Sequence, residues 1–277
     1  IGSRGLGDVY KRQVLIILIT LFVAACSKES SNPYSALGSE EYPQKFYMEY
    51  VPCTQGPDYS IEAFNSVMLP TWQVLLEETS SPLVSAWGLI HEDPKETDTE
   101  DGFWQLVWNS KADAASAWET WTGYDKANEW TEKNLNILNC NTESVYSFDA
   151  YARRSVDSFG EFDTSNFSSD YQACNYNEGY GPQDLRAAIE KFEDYLNTPD
   201  ANNGPYGYIV LAPDPDNYPE GQEKPDFFWG NFNQTAEQRD TGFEQYLSNA
   251  KNVDDEFKKI STCEVPENYV SGEIPLT

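Results

Sequence analysis

Phe46-Tyr-Met-Glu-Tyr-Val-Pro-Cys53 is the stretch on which the reading of this chain turns. It is rich in aromatic and β-branched residues, which favour a pleated, half-buried strand, and it closes on a cysteine. Its Tyr50-x-x-Cys53 signature returns as Tyr171-x-x-Cys174 inside Ser168-Ser-Asp-Tyr-Gln-Ala-Cys174. Outward from these two anchors the correspondence continues at nearly constant spacing. Trp104 and Trp108-Asn109 pair with Phe228 and Phe232-Asn233, and Trp118 with Phe243. Ile137-x-x-Cys140 and Tyr146 pair with Ile260-x-x-Cys263 and Tyr269. A pattern recurring at fixed period is the mark of duplication, and small drift is what loop insertions leave behind.

Each half reads as strand, helix, two strands, helix, strand. In the first, Ile61, Phe64 and Met68 share one helical stripe, and Pro70 is expected to end or kink that helix. Ser85–His91 and Phe103–Trp108 read as strands, Ser110 can cap a helix starting at Lys111, and Val145–Tyr151 closes the set. In the second, Pro182–Leu196 is amphipathic, with Leu185, Ile189 and Phe192 on one side. Tyr206–Ala212 and Phe227–Phe232 read as strands, and two helical stretches lead to a last strand at Tyr269. The order is βαββαβ, the split-βαβ or ferredoxin-like unit, giving an α+β chain. The divisions are 1–25, 26–44, 45–155 for the first unit and 156–277 for the second.

Two such units in one chain resemble the tandem form of the dimeric α+β barrel superfamily. That resemblance implies two ferredoxin-like sheets facing each other around a pocket. The strand Phe103–Trp108 is apolar on both alternating sets, as in a sheet covered on both faces. The alternative arrangement is two separate beads with open sheets.

The N-terminus carries processing signals rather than fold. Residues 1–13 resemble a translated sequencing adapter. Val14–Ala25 (VLIILITLFVAA) is a twelve-residue apolar run. As a helix it would be about 18 Å long, short of a hydrocarbon core of about 30 Å but suited to a signal peptide. Val23-Ala-Ala-Cys26 resembles a bacterial lipobox, implying cleavage before Cys26, a lipid on its thiol, and a membrane partner reached through that lipid. Ser27 at the following position implies the outer membrane. Ser27 to about Tyr42 has the Ser, Glu, Gly and Pro content of a flexible tether.

With Cys26 lipidated, four cysteines remain and allow three pairings. The duplication selects Cys53–Cys140 and Cys174–Cys263, whose separations of 87 and 89 residues agree. An exported protein sits where disulfides persist. No close Cys pair suggests zinc, so no metal is expected.

A net charge of −28 argues against nucleic acid as a partner, because phosphate binding needs clustered Lys and Arg. Eight Trp, 18 Tyr and 14 Phe supply far more ring surface than a disordered acidic chain would carry. His91 is the sole histidine, at the junction of a strand and an acidic loop. It could serve as general base, haem ligand or plain loop residue. Glu49 and Asp170 match one another, each four residues before its cysteine, and facing sheets could bring them together to share a proton or bind a cation. Gln105, Trp104, Trp108, Asn231 and Trp229 are ligand-binding candidates on the third strands. Trp118 and Trp121 are spaced for helix packing. The loop Asp214-Pro-Asp-Asn-Tyr-Pro-Glu-Gly221 reads as a rigid hairpin turn rather than a calcium loop.

These features together suggest a lipid-anchored envelope protein, without a cofactor, that binds a small apolar or aromatic molecule or an envelope partner. The competing reading is an α+β barrel enzyme, cofactor-free or haem-dependent, using His91, Glu49 and Asp170 with Gln105.

Overall fold

The computed structural model describes residues 44–277 apart from 97, 155, 202 and 203. The adapter-like start, the apolar run, Cys26 and the tether up to residue 43 lie outside the described residues. No described helix is long and apolar enough to cross a membrane.

The first half contains β1 (Gln44–Gln55), α1 (Ile61–Ala63), a π turn (Phe64–Met68) and α2 (Leu69–Glu78). There follow β2 (Ser85–His91), β3 (Gly102–Trp108), α3 (Lys111–Thr122), α4 (Asp125–Asn134), β4 (Leu138–Cys140) and β5 (Tyr146–Ala152). The second half contains β6 (Phe167–Tyr176), α5 (Pro182–Leu196), β7 (Tyr206–Pro213) and β8 (Phe227–Asn233). It ends with α6 (Ala236–Asn249), α7 (Lys251–Ile260), β9 (Ser261–Cys263) and β10 (Glu267–Ile274).

The helix starts follow local chemistry. Ser110 is extended and its side chain accepts the Asp113 N–H, and Thr235 does the same for Gln238, so each satisfies a donor the first turn leaves open. Of the two outcomes expected at Pro70, an end or a kink, the helix does not end there. The preceding π turn sends the Leu69 N–H to the Phe64 carbonyl, five residues back, and the wider turn accommodates the proline at the start of α2.

The first half orders its strands β2-β3-β1-β5, the second β7-β8-β6-β10, all antiparallel. The two sheets do not stand apart as beads. β5 pairs with β7 and β10 pairs with β2, so eight strands close into one barrel with the helices outside. Closure removes the exposed edges that open sheets would present. The short strands β4 and β9 sit outside this ring, on β1 and β6, and there Cys53 lies opposite Cys140 and Cys174 opposite Cys263. Both expected disulfides are formed.

The interior expected to enclose a pocket is filled with side chains. Met48, Tyr50, Leu89, Val107, Phe148, Ala150, Tyr171, Ile209, Leu211 and Tyr269 form one buried cluster there, with Phe46, Trp87, Phe103, Phe228 and Phe232 against it. Tyr50 meets Phe148, Tyr171 and Phe103 edge to face at 5.5, 5.7 and 6.3 Å. Such packing resembles a core rather than a binding chamber. The other face of the first sheet carries Tyr47, Val51, Trp104, Leu106 and Trp108 against Met68, Leu69, Trp72 and Ala114 of the helices.

Strand register corrects the sequence alignment by one residue. Cys53 lies opposite Gly102 and Cys174 opposite Phe227, so the counterpart of Trp104 is Trp229 and that of Trp108 is Asn233. A one-residue slip exchanges the two faces of a strand. Trp104 and Trp229 both face helices, whereas Phe228 and Phe232 face the barrel interior. By the same register His91 matches Pro213.

Candidate functional site

The first half's helix-facing layer holds two adjoining clefts. In the larger-walled one, β3 contributes Trp104 and Trp108, four residues apart and therefore on one face of the strand. Helix α3 adds Trp118 and Trp121 at helical i, i+3 spacing, α2 adds Trp72 and α4 adds Trp130. Met68, Leu76, Leu83 and Leu138 complete apolar walls around about 170 Å³ of space. Ring contacts fix much of this wall: Trp72 to Trp104 at 4.9 Å, Trp121 to Trp130 at 5.7 Å and Trp104 to Trp130 at 6.5 Å. Trp130 donates its N–H to Thr71 Oγ1 at 2.9 Å, while the buried Trp104 N–H has no partner among the described residues.

Glu49 stands at the junction with the second cleft. Its side chain is 2% exposed, and Oε2 accepts the indole N–H groups of Trp108 at 2.9 Å and Trp118 at 2.7 Å. Burial raises its pKa, opposed by those two donors and by Ser147, and the charge of Asp214 raises it further. The second cleft, about 350 Å³, lies between Trp118, the 142–145 loop and the hairpin loop at 216–220, with Glu49 among its lining. Behind it runs a polar network. Tyr47 Oη donates to Asp214 Oδ2 at 2.8 Å, Lys111 Nζ donates to Asp214 Oδ1 at 3.0 Å, and Asn217 donates to Ser147 Oγ at 2.7 Å. Burial works to raise the Asp214 pKa, but Lys111 and the donors around it outweigh that and hold it low.

The sequence candidates fall into three separate places. Glu49, Trp104 and Trp108 share the first helix-facing layer. Asp170, Asn231 and Trp229 share the second, where Asn231 Nδ2 donates to Asp170 Oδ1 at 2.8 Å and both Tyr206 and Trp229 donate to Asn231 Oδ1 at 2.8 Å. Burial pushes Asp170 up to about 6, against the pull of Asn231 and Arg239. His91 and Gln105 lie on the interior face, Gln105 against Met48 Sδ at 3.3 Å. Glu49 and Asp170 therefore do not meet, because both point outward into different helical layers. The matched pair that does meet is one residue along: Tyr50 Oη donates to Tyr171 Oη at 3.4 Å in the barrel centre.

A haem group, one option for His91, finds a poor fit. The imidazole packs on Tyr269 at 4.7 Å and Phe103 at 6.0 Å. Its Nε2 is buried without a hydrogen-bond partner among the described residues. A core already occupied by rings offers no room for a macrocycle beside it. No group of three or more His, Cys, Asp or Glu side chains among the described residues could hold a metal ion.

Seven of the eight tryptophans, Trp72 and Trp130 among them, fall in the first half of the sequence, an excess of rings that already motivates an aromatic-ligand platform. The i, i+3 spacing of Trp118 and Trp121 was the available signal, but nothing in it indicates that an indole N–H reaches a carboxylate on β1.

No protein-family description matches the chain, and no curated protein matches it. Among solved structures, a tryptophan-to-valine variant of the chlorite dismutase from Candidatus Nitrospira defluvii is similar over 86% of this chain and 96% of that one, at 9% identity and a TM-score of 0.50. A protein from Lactobacillus acidophilus described as a candidate monooxygenase is 11% identical over 83% of this chain and 94% of its own, with a TM-score of 0.43. The first likeness shows the fold, a dimeric α+β barrel, and the fold alone.

Proposed function

We propose that this protein is a non-catalytic binder of a flat apolar or aromatic small molecule, held at the bacterial cell envelope by a lipid on Cys26. The observation that carries the binding reading is the convergence of six tryptophans, from β3, α2, α3 and α4, on one open cleft. The equivalent layer of the second half is packed around Phe192, which touches Tyr206, Tyr208, Trp229, Tyr246 and Phe257 at 5.5–6.3 Å. A dry aromatic space of about 150 Å³ is enough to admit a benzene-sized ligand. Titration of the purified protein with indole or naphthalene, read by tryptophan emission, tests the cleft. Ala117→Phe, which fills it, should abolish the response; an emission unchanged by any such compound, or a response that survives Ala117→Phe, overturns the reading.

The anchor rests on the Val23-Ala-Ala-Cys26 motif behind the apolar run. Its test is mass spectrometry of the mature N-terminus expressed in a Gram-negative host, where a diacylglyceryl Cys26 is the expected product and an unmodified one refutes it. We also read the two halves as copies of one ferredoxin-like unit, supported by the recurrence of the same strand order and of a disulfide at the same place in each.

A further inference from the structure

The geometry points to a second binding site: we propose that the polar cleft beside Trp118 takes the ammonium end of an organic amine, with Glu49 as its counter-ion. This site goes beyond the tryptophan cleft and shares only Trp118 and Thr142 with it.

A buried carboxylate is expensive unless its charge is answered. At Glu49 the answer is incomplete. Both indole donors converge on Oε2 and the remaining donor, Ser147, is neutral like them; among the described residues no ion pair reaches Glu49, and Lys111 is engaged by Asp214 at 2.8 Å and Asp216 at 3.3 Å. The cleft that reaches Glu49 is walled by Trp118 and Tyr218, and Glu143 and Glu220 stand exposed at its rim. Aromatic faces and carboxylates together attract a cation, the first through their quadrupoles and the second by charge. Anions are repelled by the same rim. A bare metal ion is disfavoured because these carboxylates do not gather as a metal-holding group. The cleft suits a larger cation whose charge sits on one end, with room of about 350 Å³ for a body behind it.

Calorimetry of the purified protein with phenethylamine and its neutral counterpart phenethyl alcohol tests this. The amine should bind about tenfold more tightly or better, a difference of one factor of ten in Kd. Glu49→Gln should erase that preference, since the amide still offers a carbonyl to both indoles but carries no charge. Should that variant fail to fold, Glu143→Lys with Glu220→Lys, both at exposed positions, must weaken the amine about three- to tenfold and leave the alcohol unchanged. Equal binding of amine and alcohol, undiminished amine binding in Glu49→Gln or in the rim variant, or no heat with amine up to about 10 mM each overturns the proposal. Naphthalene binding followed by tryptophan emission in the rim variant reads the other cleft separately, so one site can fail while the other stands.

Discussion

The two helix-facing layers of this barrel are built on the same strand order and differ in what fills them. In the second, Phe192 of α5 sits at the centre of six surrounding rings, Tyr208 stacks on Trp229 at 4.8 Å, and Arg154 pairs with the buried Glu193 beneath them. In the first, the ring count is as high but the helices stand off, and tryptophans line a space instead of closing it. The matched carboxylates follow suit. Asp170 is capped by one amide within a packed layer, whereas Glu49 is held by two indoles at the edge of an opening. One scaffold thus supports both a closed core and a cleft, and the choice lies in side-chain size and helix placement rather than in topology.

The comparison can be broken most directly at its centre. Phe192→Ala should destabilise by about 3–5 kcal/mol, because the ring is fully surrounded, while Trp121→Ala on the cleft wall should lose only about 1–2 kcal/mol. Urea unfolding measures both, and equal losses would mean that the first layer is as closed as the second.

Symmetry should instead show in the disulfides. Removing Cys53–Cys140 or Cys174–Cys263 by paired alanine substitutions should each lower stability by about 4 kcal/mol, since the loops closed are 87 and 89 residues. A gap of more than about 2 kcal/mol between the two variants in denaturant melts would show that the halves do not bear on the unfolded chain alike.

The matched carboxylates give an electrostatic prediction, since burial raises Glu49 as well as Asp170. Asp170, raised from 3.8 to about 6 in the folded protein, binds a proton there before the unfolded chain does. Stability should therefore rise as pH falls from about 7 towards 4, by up to about 3 kcal/mol, and the gain is lost again as pH climbs through 6. Arg239 and Asp240 act on the same carboxyl in opposite senses and leave the direction unchanged. Asp170→Asn retains an acceptor for Asn231 and should reduce this slope, leaving the share that Glu49 contributes; parallel pH profiles for variant and parent would refute the assignment.

The smallest effect belongs to the surface. Lys133→Ala removes an i, i+4 pair with Glu129 at 3.2 Å, both side chains well exposed, and should shift stability by about 0.3–0.5 kcal/mol at most. A loss above about 1 kcal/mol would reveal a role for α4 in holding the cleft wall.

Much of this was legible residue by residue. The Tyr-x-x-Cys signature located the first strand of each half, and Pro182–Leu196 is helical over the range its apolar stripe marked. Ser110 caps where a serine before a helical run should. What misled was the alignment of the third strands. Aromatic residues stand on both faces of β3 and β8, so Phe228 and Trp229 were equally good partners for Trp104, and only pairing to β1 and β6 separates them. The same ambiguity put Glu49 and Asp170 forward as the facing pair, when the neighbouring tyrosines are the ones that meet. The contact of Trp118 with Glu49 is not legible in the sequence because the partner is 69 residues away, beyond any local pattern.

The amino-acid order alone determined the succession of strands and helices, the pairing of the cysteines and the net charge of −28, because these depend on neighbours in the chain, on repetition and on summed charge. Tertiary structure decided which alternate side chains face the barrel, that its centre is solid, and that the opening lies under the first half's helices. A strand buried on both sides carries no mark of which side is which, and only closure of the sheet and the docking of helices upon it make that choice.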